Sequence, residues 1–350
     1  MTRLADLTTL RVGGPAGRYL EVASEAELCE AVRSADAAGE PLLVLGGGSN
    51  LLVGDEGFDG LVVRDVRHEI RVDDASACGG TSLTVAAGTP WDEVVAHAVA
   101  HRWVGLEALS GIPGSAGATP VQNVGAYGQE VAQTIAAVRA WDRQENRVRT
   151  MTLVELGFGY RTSVLKRSLE RGGRWFPTPR WVVLDVTFQL RWGELSAPLA
   201  YAELARRLGA EVGARVPMTE VREAVLELRR GKGMVLDPAD HDTWSAGSFF
   251  TNPVLDDAAV DRLPAEAPRW PQGEGRTKVS AAWLIEHAGC GKGFGLPGPA
   301  ALSTKHTLAL TNRGSATAAD LLELARRVRA RVREVFGVEL QPEPVLLPVL

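Results

Sequence analysis

The 350-residue chain has few cysteines, and their placement excludes two classes of site. Cys29, Cys78 and Cys290 lie far apart and form neither a Cys-x-x-Cys pair nor the dense pattern of a disulfide framework. This usage is typical of a protein from a reducing compartment. The six histidines show no metal-ligand spacing, so we expect no metal site.

Long apolar runs and basic tracts are also missing. No run is long enough to cross a bilayer and the first residues lack a signal-peptide core, so we expect a cytoplasmic protein without membrane insertion. The net charge of −5 and the absence of a basic tract argue against a nucleic-acid partner. The length allows two or three domains and the composition is ordinary for an enzyme. We expect a monomer.

Glycine, in contrast, is abundant and is concentrated in one stretch. Residues 111–128 read GIPGSAGATPVQNVGAYG and contain five glycines and two prolines. Glycine costs backbone entropy in helices and strands and proline removes a donor, so no regular element favours this mixture. Glycine does permit a backbone to approach a bulky ligand closely, while proline stiffens a loop. The stretch is therefore either a ligand-binding segment or a long structural loop.

A second glycine-rich segment favours the ligand. Gly46-Gly47-Gly48-Ser49-Asn50 follows the apolar run 42–45, which is typical of a buried strand. Successive N–H groups in such a loop can bind an anion, and Ser49 and Asn50 add side-chain donors. The segment matches neither a Walker loop nor the dinucleotide-binding fingerprint. Two such loops in one chain indicate a ligand with a diphosphate and a large flat body.

The pattern of apolar residues predicts alternating strands and helices. At the start we expect a β-α-β unit with strands at 19–22, 42–45 and 61–63 and a helix that Ser24 caps and that ends near Gly39. Further strands are predicted at 83–86, 138–141 and 182–190, and helices from Trp91, at 216–228, 281–287 and 318–335. We expect residues 167–180 and 256–275 to be exposed loops, and residues 338–345 to dock onto the body.

Six short motifs, taken in chain order, resemble the UDP-N-acetylenolpyruvoylglucosamine reductase family of flavoenzymes, and in particular its longer subclass. The motifs are LGGGSN at 45–50, IPG at 112–114, PVQNVGAYG at 120–128, FGYRTS at 158–163, GSFFTNP at 247–253 and AWLIE at 282–286. They lie between Thr9 and Glu343, so the resemblance covers nearly the whole chain, and the set is specific although each motif is short.

The resemblance implies an α+β fold: a two-domain FAD-binding module of the PCMH/VAO type plus a third, α+β substrate-binding domain. We place the first FAD-binding subdomain at residues 1–68. The second spans 69–215 and is joined by the C-terminal tail 336–350. The substrate-binding domain spans 216–335.

The family reaction belongs to peptidoglycan precursor synthesis. In it NADPH reduces FAD, and a hydride then passes to an enolpyruvyl ether of UDP-N-acetylglucosamine, giving UDP-N-acetylmuramate. The implied cofactors are FAD and NADPH, and the implied partner is a small nucleotide-sugar substrate. Hydride addition to an unsaturated acid puts negative charge on the neighbouring carbon and its carboxylate, which a fixed cation would stabilise. A proton must then reach that carbon.

Residue roles carry over from the matching motifs. Arg161 matches the catalytic arginine, Ser248 the proton donor, and Glu343 the catalytic glutamate. In many family members an arginine follows this glutamate, but here it is missing. Glu339 is therefore the reserve candidate for the catalytic glutamate. The cofactor-binding residues implied are Gly46, Gly47, Gly48, Ser49, Asn50, Leu51, Ile112, Pro113, Gly114, Ser115, Gly117, Ala118, Gln122, Asn123, Gly125 and Tyr127. The substrate-binding residues implied are Tyr160, Tyr201, Lys232 and Asn252.

Two alternatives stay open at this point. One is a related FAD oxidase or dehydrogenase that acts on a hydroxy acid or a sugar, since one fold hosts many functions. The other is a nucleotide-sugar binding protein without catalysis, which would need no set of Arg161, Ser248 and Glu343.

Overall fold

The computed structural model describes residues 1–76, 79–169 and 173–347, and Cys78 lies outside them. The α-helices are α1 (Glu25–Ala38), α2 (Trp91–Ala100), α3 (Leu153–Leu156), α4 (Val164–Arg167), α5 (Ala202–Arg207), α6 (Met218–Gly231), α7 (Asp257–Val260), α8 (Ala281–His287) and α9 (Ala318–Phe336). Short 3-10 turns lie at Leu4–Leu7, Glu107–Leu109, Ala116–Ala118, Val131–Gln133 and His241–Thr243.

Most strands are short. They are β1 (Ala16–Val22), β2 (Leu42–Leu45), β3 (Leu51–Val53), β4 (Phe58–Asp65), β5 (Ile70–Ser76), β6 (Gly80–Ala86), β7 (Trp103–Val104), β8 (Gly125–Ala126), β9 (Gln129–Glu130), β10 (Ile135–Asp142), β11 (Arg147–Thr152), β12 (Trp181–Trp192), β13 (Val254–Asp256), β14 (Arg269–Gly273), β15 (Arg276–Val279), β16 (Ala300–Leu302), β17 (Leu310–Asn312) and β18 (Val345–Leu347). Helices and separate sheets together confirm the predicted α+β class.

The backbone divides into two compact units, each built from more than one stretch of chain. Unit 1 contains Met1–Pro15, Ser49–Gly57 and Lys232–Leu350, and unit 2 contains Ala16–Gly48 and Phe58–Gly231. The chain passes from unit 2 to unit 1 within the second glycine-rich segment, between Gly48 and Ser49.

The predicted β-α-β unit is confirmed and lies in unit 2. Strands β1, β4 and β2 form a parallel sheet in that order. Helix α1 begins where Ser24 accepts the N–H of Glu27 while the Glu27 carboxylate accepts the N–H of Ser24, and it ends at Gly39. Its buried face, Leu28, Val32 and Ala35, packs on these strands and on β12. The sheet fixes the point at which β2 ends and the first glycine begins.

A larger antiparallel sheet completes the frame of unit 2. Its order is β11-β10-β12-β6-β5, and β7 pairs with the end of β12. Helix α2 and the segment 104–116 bury their apolar side chains against this sheet. Helices α5 and α6 share a smaller apolar cluster with Ala108 and Leu199. Residues 104–116, which lead into the glycine-rich stretch, are thus held by the core.

The predicted exposure of residues 167–180 is wrong in part: Arg167 and Arg174 are exposed, residues 175–180 are not, and residues 170–172 lie outside the described residues. Thr178 is 1% exposed; its hydroxyl accepts the N–H of Val44 at 2.8 Å and donates to the carbonyl of Leu42 at 2.8 Å. Arg143 adds hydrogen bonds to the carbonyls of Trp175, Thr178 and Pro179. The polar and proline-rich composition suggested solvent, but these polar groups satisfy the edge of β2 instead.

Unit 1 packs its apolar side chains around α9. The predicted inward face of α9 is confirmed, since Leu321, Leu322, Leu324, Ala325, Val328 and Val332 are all buried. The tail also docks as predicted: β18 pairs in parallel with β3, with Val345 opposite Leu51. The predicted loop 256–275 is wrong in part, because it contributes α7 and β14 and borders β13 and β15, which pair in the order β13-β15-β14.

The predicted domain boundaries at residues 68, 215 and 335 stay a prediction, because two compact units are a coarser division than three domains. The predicted subdomains 1–68 and 69–215 share a core, since residues of α1 and β12 belong to one apolar cluster in unit 2. The tail strand β18 pairs with β3 rather than with a strand of residues 69–215.

Asp142, at the end of β10, is the most strongly hydrogen-bonded carboxylate of this frame. Its side chain is fully buried and accepts Arg180 Nε at 2.8 Å, Arg180 Nη2 at 2.7 Å and Trp181 Nε1 at 3.0 Å. Burial raises the pKa of Asp142, but the hydrogen bonds from Arg180 and from the N–H groups of residues 144 and 145 outweigh it and leave the pKa below the usual value.

We predict that Asp142→Asn makes folding less sensitive to acid. The lowered pKa of folded Asp142 contributes stability above the unfolded pKa, roughly pH 4, and that stability is lost as the pH falls through the folded pKa. At pH 7 the free energy of unfolding should fall by about 1–3 kcal/mol, because Arg180 loses its charged partner. Urea unfolding from pH 7 to pH 3 measures both effects. The exposed Asp59→Asn is the control; equal pH profiles for the two variants would contradict the prediction.

Candidate active site

The two glycine-rich segments meet in unit 2. A Cβ placed on Gly47 would lie 2.6 Å from Cα of Gly114, and a Cβ on Gly46 would lie 2.5 Å from Oγ of Ser115. Real Cβ atoms do not approach other atoms so closely, and backbone cannot move aside easily, so the contact with Gly114 requires glycine at position 47, whereas a Cβ at position 46 would displace the Ser115 hydroxyl. Gly47 itself is exposed. The turn at residues 46–48 therefore has no side chains and is exposed at Gly47. A bulky ligand with phosphate groups could approach the backbone closely there.

Backbone hydrogen bonds hold the stretch 111–128 in place. Trp91 N donates to Gly114 O at 3.0 Å, Ala116 N to Thr89 O at 2.8 Å, and Gly117 N to Ala87 O at 2.9 Å. The stretch therefore lies along the residues that join β6 to α2. Its shape is set by regular structure rather than by its own composition.

A carboxylate anchors the beginning of the same stretch. Asp92, in the first turn of α2, accepts the N–H of Gly111 at 2.6 Å and two bonds from Arg222 of α6 at 2.7 and 2.8 Å. Burial raises the pKa of Asp92, but the hydrogen bonds from Arg222 and Gly111 lower it by a larger amount. The pKa therefore lies below its usual value, and the group stays a carboxylate.

The other predicted cofactor residues of unit 2 differ in exposure. Ala118 is exposed like Gly47, whereas Gly48, Ser115, Gly117 and Asn123 are buried; the half-buried positions are Gly46, Ile112, Pro113, Gly114, Gln122, Gly125 and Tyr127. The Gln122 side-chain oxygen accepts Lys166 Nζ at 3.3 Å. The buried members shape the turn, and the exposed and half-buried members are those that a ligand can reach.

Arg161 has an unusual backbone conformation. Its φ is 101°, in a region that residues other than glycine rarely occupy. Its own N–H donates to Gly159 O at 2.5 Å, its Nη1 to Asn123 O at 3.0 Å, and its Nη2 to Gly125 O at 2.6 Å. Two carbonyls of the glycine-rich stretch therefore fix the guanidinium of the predicted catalytic arginine. Tyr160 lies beneath it, with its ring centre 5.6 Å from Cζ of Arg161.

The side chain of Asn123 has protein partners. Its Nδ2 donates to Glu130 Oε2 at 2.7 Å and to Gly159 O at 3.1 Å, and its Oδ1 accepts the N–H of Ala132 at 3.2 Å. Asn123 is 1% exposed. Its predicted role in cofactor binding stays a prediction, but these contacts show that its side chain joins three loops of the protein.

Tyr127 and Tyr201 form an edge-to-face pair, with ring centres 5.6 Å apart and planes at 88°. Burial raises the pKa of Tyr127 to about 12, so its hydroxyl stays protonated at neutral pH. Tyr201 precedes α5 and is 43% exposed. A residue predicted to bind the cofactor and one predicted to bind the substrate are thus in contact.

Unit 1 brings Ser248 and Glu343 together. Glu343 N donates to the carbonyl of Phe249 at 2.9 Å, and the neighbouring Phe250 and Pro342 form an antiparallel bridge. Ser248 lies half-buried in a turn, and Phe249 N donates to Leu308 O at 2.8 Å. The predicted proton donor and the predicted catalytic glutamate therefore lie on paired segments of chain.

The tail also contacts the predicted cofactor residues of unit 1. Asn50 O accepts the N–H of Val345 at 3.0 Å, and Asn50 Nδ2 donates to Glu343 O at 3.5 Å. Leu51 is buried in β3, and Ser49 is half-buried. The segment 49–51 is thus held beside Glu343 by parallel pairing of β3 with β18.

The remaining candidates of unit 1 are spread over several elements. Asn252 Oδ1 accepts the N–H of Ala281 at 2.9 Å and so fixes the start of α8. Lys232 is half-buried and follows α6 directly. Glu339, the reserve candidate, forms a 2.5 Å ion pair with Arg329 on α9. The choice between Glu343 and Glu339 stays a prediction.

Comparison with known proteins decides the family. The chain is 55% identical over 346 residues, 98% of its length and 89% of the relative's, to a UDP-N-acetylenolpyruvoylglucosamine reductase from Cutibacterium acnes. It is 58% identical over 358 residues, 98% of its length and 94% of the relative's, to the enzyme of that name from Saccharopolyspora erythraea. The chain belongs to the UDP-N-acetylenolpyruvoylglucosamine reductase family. The resemblance seen in its motifs is thereby confirmed.

Two family profiles and one solved structure agree with this family. An FAD binding domain profile matches residues 16–151, which contain the glycine-rich segments of unit 2. The profile of the UDP-N-acetylenolpyruvoylglucosamine reductase C-terminal domain matches residues 237–347, which contain Ser248 and Glu343. The crystal structure of UDP-N-acetylenolpyruvylglucosamine reductase (MurB) from Thermus caldophilus aligns with a TM-score of 0.63 and 29% identity, covering 99% of this chain and 98% of that chain. The predicted FAD-binding fold is confirmed.

The described ranges contain no helix that is both long and apolar enough to cross a membrane.

Sequence reasoning missed several residues that position the site of this family member. Asp92 and Arg222 hold Gly111, and Glu130 holds Asn123. Glu107 is fully buried and accepts N–H bonds from Gly105 at 2.7 Å and Ala197 at 2.6 Å. The acidic first turn of α2 was visible in the sequence, but Gly111 and Arg222 lie 19 and 130 residues from Asp92. Glu130 is seven residues from Asn123, and no pattern in the sequence singled it out.

We predict that Gly47→Ala weakens FAD binding. The added Cβ would lie 2.6 Å from Gly114 Cα and must push the two segments apart. Overpacking of this kind costs about 1–3 kcal/mol, which corresponds to about a 5- to 150-fold rise in the Kd for FAD. Titration of apoprotein with FAD, followed by flavin fluorescence, measures it.

Gly231→Ala, at the end of α6, is the matched control, because a Cβ there meets nothing within 4 Å. Equal FAD affinity in both variants would contradict the assignment of Gly47 to the cofactor site.

Proposed function

We propose that the chain catalyses NADPH-dependent reduction of UDP-N-acetylglucosamine enolpyruvate to UDP-N-acetylmuramate in peptidoglycan precursor synthesis. The observation that carries the proposal is near-full-length similarity, above 50% identity, to enzymes of this name. The clamped conformation of Arg161 beside the glycine-rich stretch supports it. We also propose that the protein acts as a monomer in the cytoplasm, where NADPH and nucleotide-sugars are available.

The residues of the two glycine-rich segments fit FAD. The turn at Gly46–Gly48 has no side chains, and its N–H groups can face a diphosphate. We assign the predicted residues of 112–127 to this cofactor, and Ser49, Asn50 and Leu51 remain predicted cofactor residues of unit 1. When bound, FAD supplies the hydride chemistry between NADPH and the substrate. The protein supplies binding, orientation and charge.

Arg161 is assigned to the substrate carboxylate. Its guanidinium stays charged at all relevant pH values, and its forked geometry suits a carboxylate. Two of the acceptors that orient it, Asn123 O and Gly125 O, are neutral carbonyls. A fixed cation stabilises negative charge that develops on the substrate as hydride arrives.

Ser248 is assigned to the proton transfer and Glu343 to its support. A serine hydroxyl is a weak acid, so it can protonate only a strongly basic acceptor, and the carbon of an enolate is one. Pairing of Glu343 N with Phe249 O holds the backbone of residue 343 beside the serine turn, and we assign its carboxyl group to polarising the developing enol acid. Tyr160, Tyr201, Lys232 and Asn252 are assigned to the nucleotide-sugar, with Lys232 at its diphosphate and Tyr201 over the bound nucleotide.

We predict that Ser248→Ala separates the two half-reactions. Reduction of the bound FAD by NADPH should proceed at the rate of the unchanged protein, because the hydroxyl takes no part in it. Turnover of the enolpyruvyl nucleotide should fall by about 10²- to 10⁴-fold, the usual contribution of a positioned acid. Stopped-flow absorbance of the flavin follows both steps.

Ser315→Ala is the matched control, because Ser315 is an exposed serine of unit 1 outside the site. Unchanged turnover in Ser248→Ala would remove the proton-donor role. Loss of FAD reduction together with turnover would also contradict it.

A further inference from the structure

We propose that Asn123 and Glu130 are positioning residues for Arg161. Together they hold the guanidinium in the orientation in which it meets the substrate carboxylate. This inference rests on the proposed function, because that function assigns Arg161 to the carboxylate. Glu130 itself belongs to no motif that pointed to the site.

The backbone of Arg161 requires outside support. A residue other than glycine at a φ of 101° carries a conformational cost of about 1–3 kcal/mol, and such strain persists only where neighbouring contacts enforce it. Two supporting contacts come from the glycine-rich stretch: Asn123 O and Gly125 O accept Nη1 and Nη2 at 3.0 and 2.6 Å. The direction of the guanidinium therefore changes if those two carbonyls turn away.

Asn123 ties that stretch to the turn that carries Arg161. Its own φ is 48°, a left-handed conformation that asparagine tolerates better than most residues. From this position its amide donates to Gly159 O at 3.1 Å, two residues before Arg161, while its carbonyl accepts Nη1. One residue thus holds Arg161 at both its backbone turn and its side-chain end.

Glu130 fixes Asn123 and Gly125 at the same time. Its Oε2 accepts Asn123 Nδ2 at 2.7 Å, which orients the amide so that its second N–H meets Gly159 O. Its strand β9 pairs with β8, where Glu130 lies opposite Gly125. Its Cγ would lie only 2.8 Å from a Cβ built on Gly125, so the two residues pack closely. Both carbonyls that clamp Arg161 therefore depend on Glu130.

The chain offers a graded set of variants. Glu130→Ala removes the acceptor and the packing, whereas Glu130→Gln keeps the shape and retains one oxygen that can accept from Asn123. Glu220→Ala, the same change at an exposed glutamate of α6, is the control. Arg161→Ala and the double variant Glu130→Ala/Arg161→Ala complete a double-mutant cycle.

We expect Glu130→Ala to lower kcat for the enolpyruvyl nucleotide by about 100-fold, the usual effect of misplacing a reacting group by about 1 Å. Glu130→Gln should recover most of that loss. With FAD at saturation, the rate of FAD reduction by NADPH should stay within about twofold, and Glu130→Ala should add nothing in the Arg161→Ala background. Additive losses in the cycle, or an equal loss in the rate of FAD reduction, would overturn the positioning role.

A measurement without turnover separates this inference from the proposed function. The measurement is an NMR spectrum of protein that carries ¹⁵N-labelled arginine. The guanidinium signal that disappears in the Arg161→Lys variant is assigned to Arg161. A held side chain gives a sharp signal, and we expect Glu130→Ala and Asn123→Ala to broaden it while Glu220→Ala does not.

An unchanged Arg161 signal in Glu130→Ala would overturn the positioning role whatever the activity. Failure of the unaltered protein to turn over the enolpyruvyl nucleotide, with the Arg161 signal broadened as expected in Glu130→Ala, would remove the proposed function and leave the positioning role supported.

Discussion

The structure of the candidate site depends on a backbone contact that no side chain could occupy. Gly47 lies against Gly114 so closely that a single added Cβ would fall 2.6 Å from its Cα. The strand end at Leu45 and the bonds from Ala87, Thr89 and Trp91 bring the two segments to this contact. The end of β2 and the connection between β6 and α2 thus position a turn that has no side chains. Such a turn lets the backbone approach a flat, phosphate-bearing cofactor closely.

The glycine-rich stretch also orients Arg161, the residue proposed to stabilise charge on the substrate. Two carbonyls of the glycine-rich stretch accept hydrogen bonds from its guanidinium and orient the cation. The strain at its φ of 101° is sustained by contacts that Asn123 and Glu130 organise. In unit 1, the backbone of Glu343 is placed by the pairing of the tail with Phe249 and Asn50.

The sequence predicted the features that depend on residues close together in the chain. The cap at Ser24, the buried face of α9 and the strand before Gly46 follow from periodicity and capping, and the motifs indicated the family and its candidate residues. Contacts between distant segments were not accessible in this way. Thr178 looked exposed but satisfies β2 some 130 residues away, and residues 256–275 looked irregular because their strands are short and polar. Glu130 carried no signal until Asn123 was seen beside it.

FAD binding at the two glycine-rich segments can be measured by hydrogen–deuterium exchange of apoprotein with and without added FAD, because exchange reports each backbone amide without any assumption about turnover. We expect FAD to slow exchange most strongly at residues 46–51 and 111–128, with Glu220 and its neighbours on α6 unaffected. Protection concentrated elsewhere, with those two segments exchanging as fast as in the apoprotein, would contradict it.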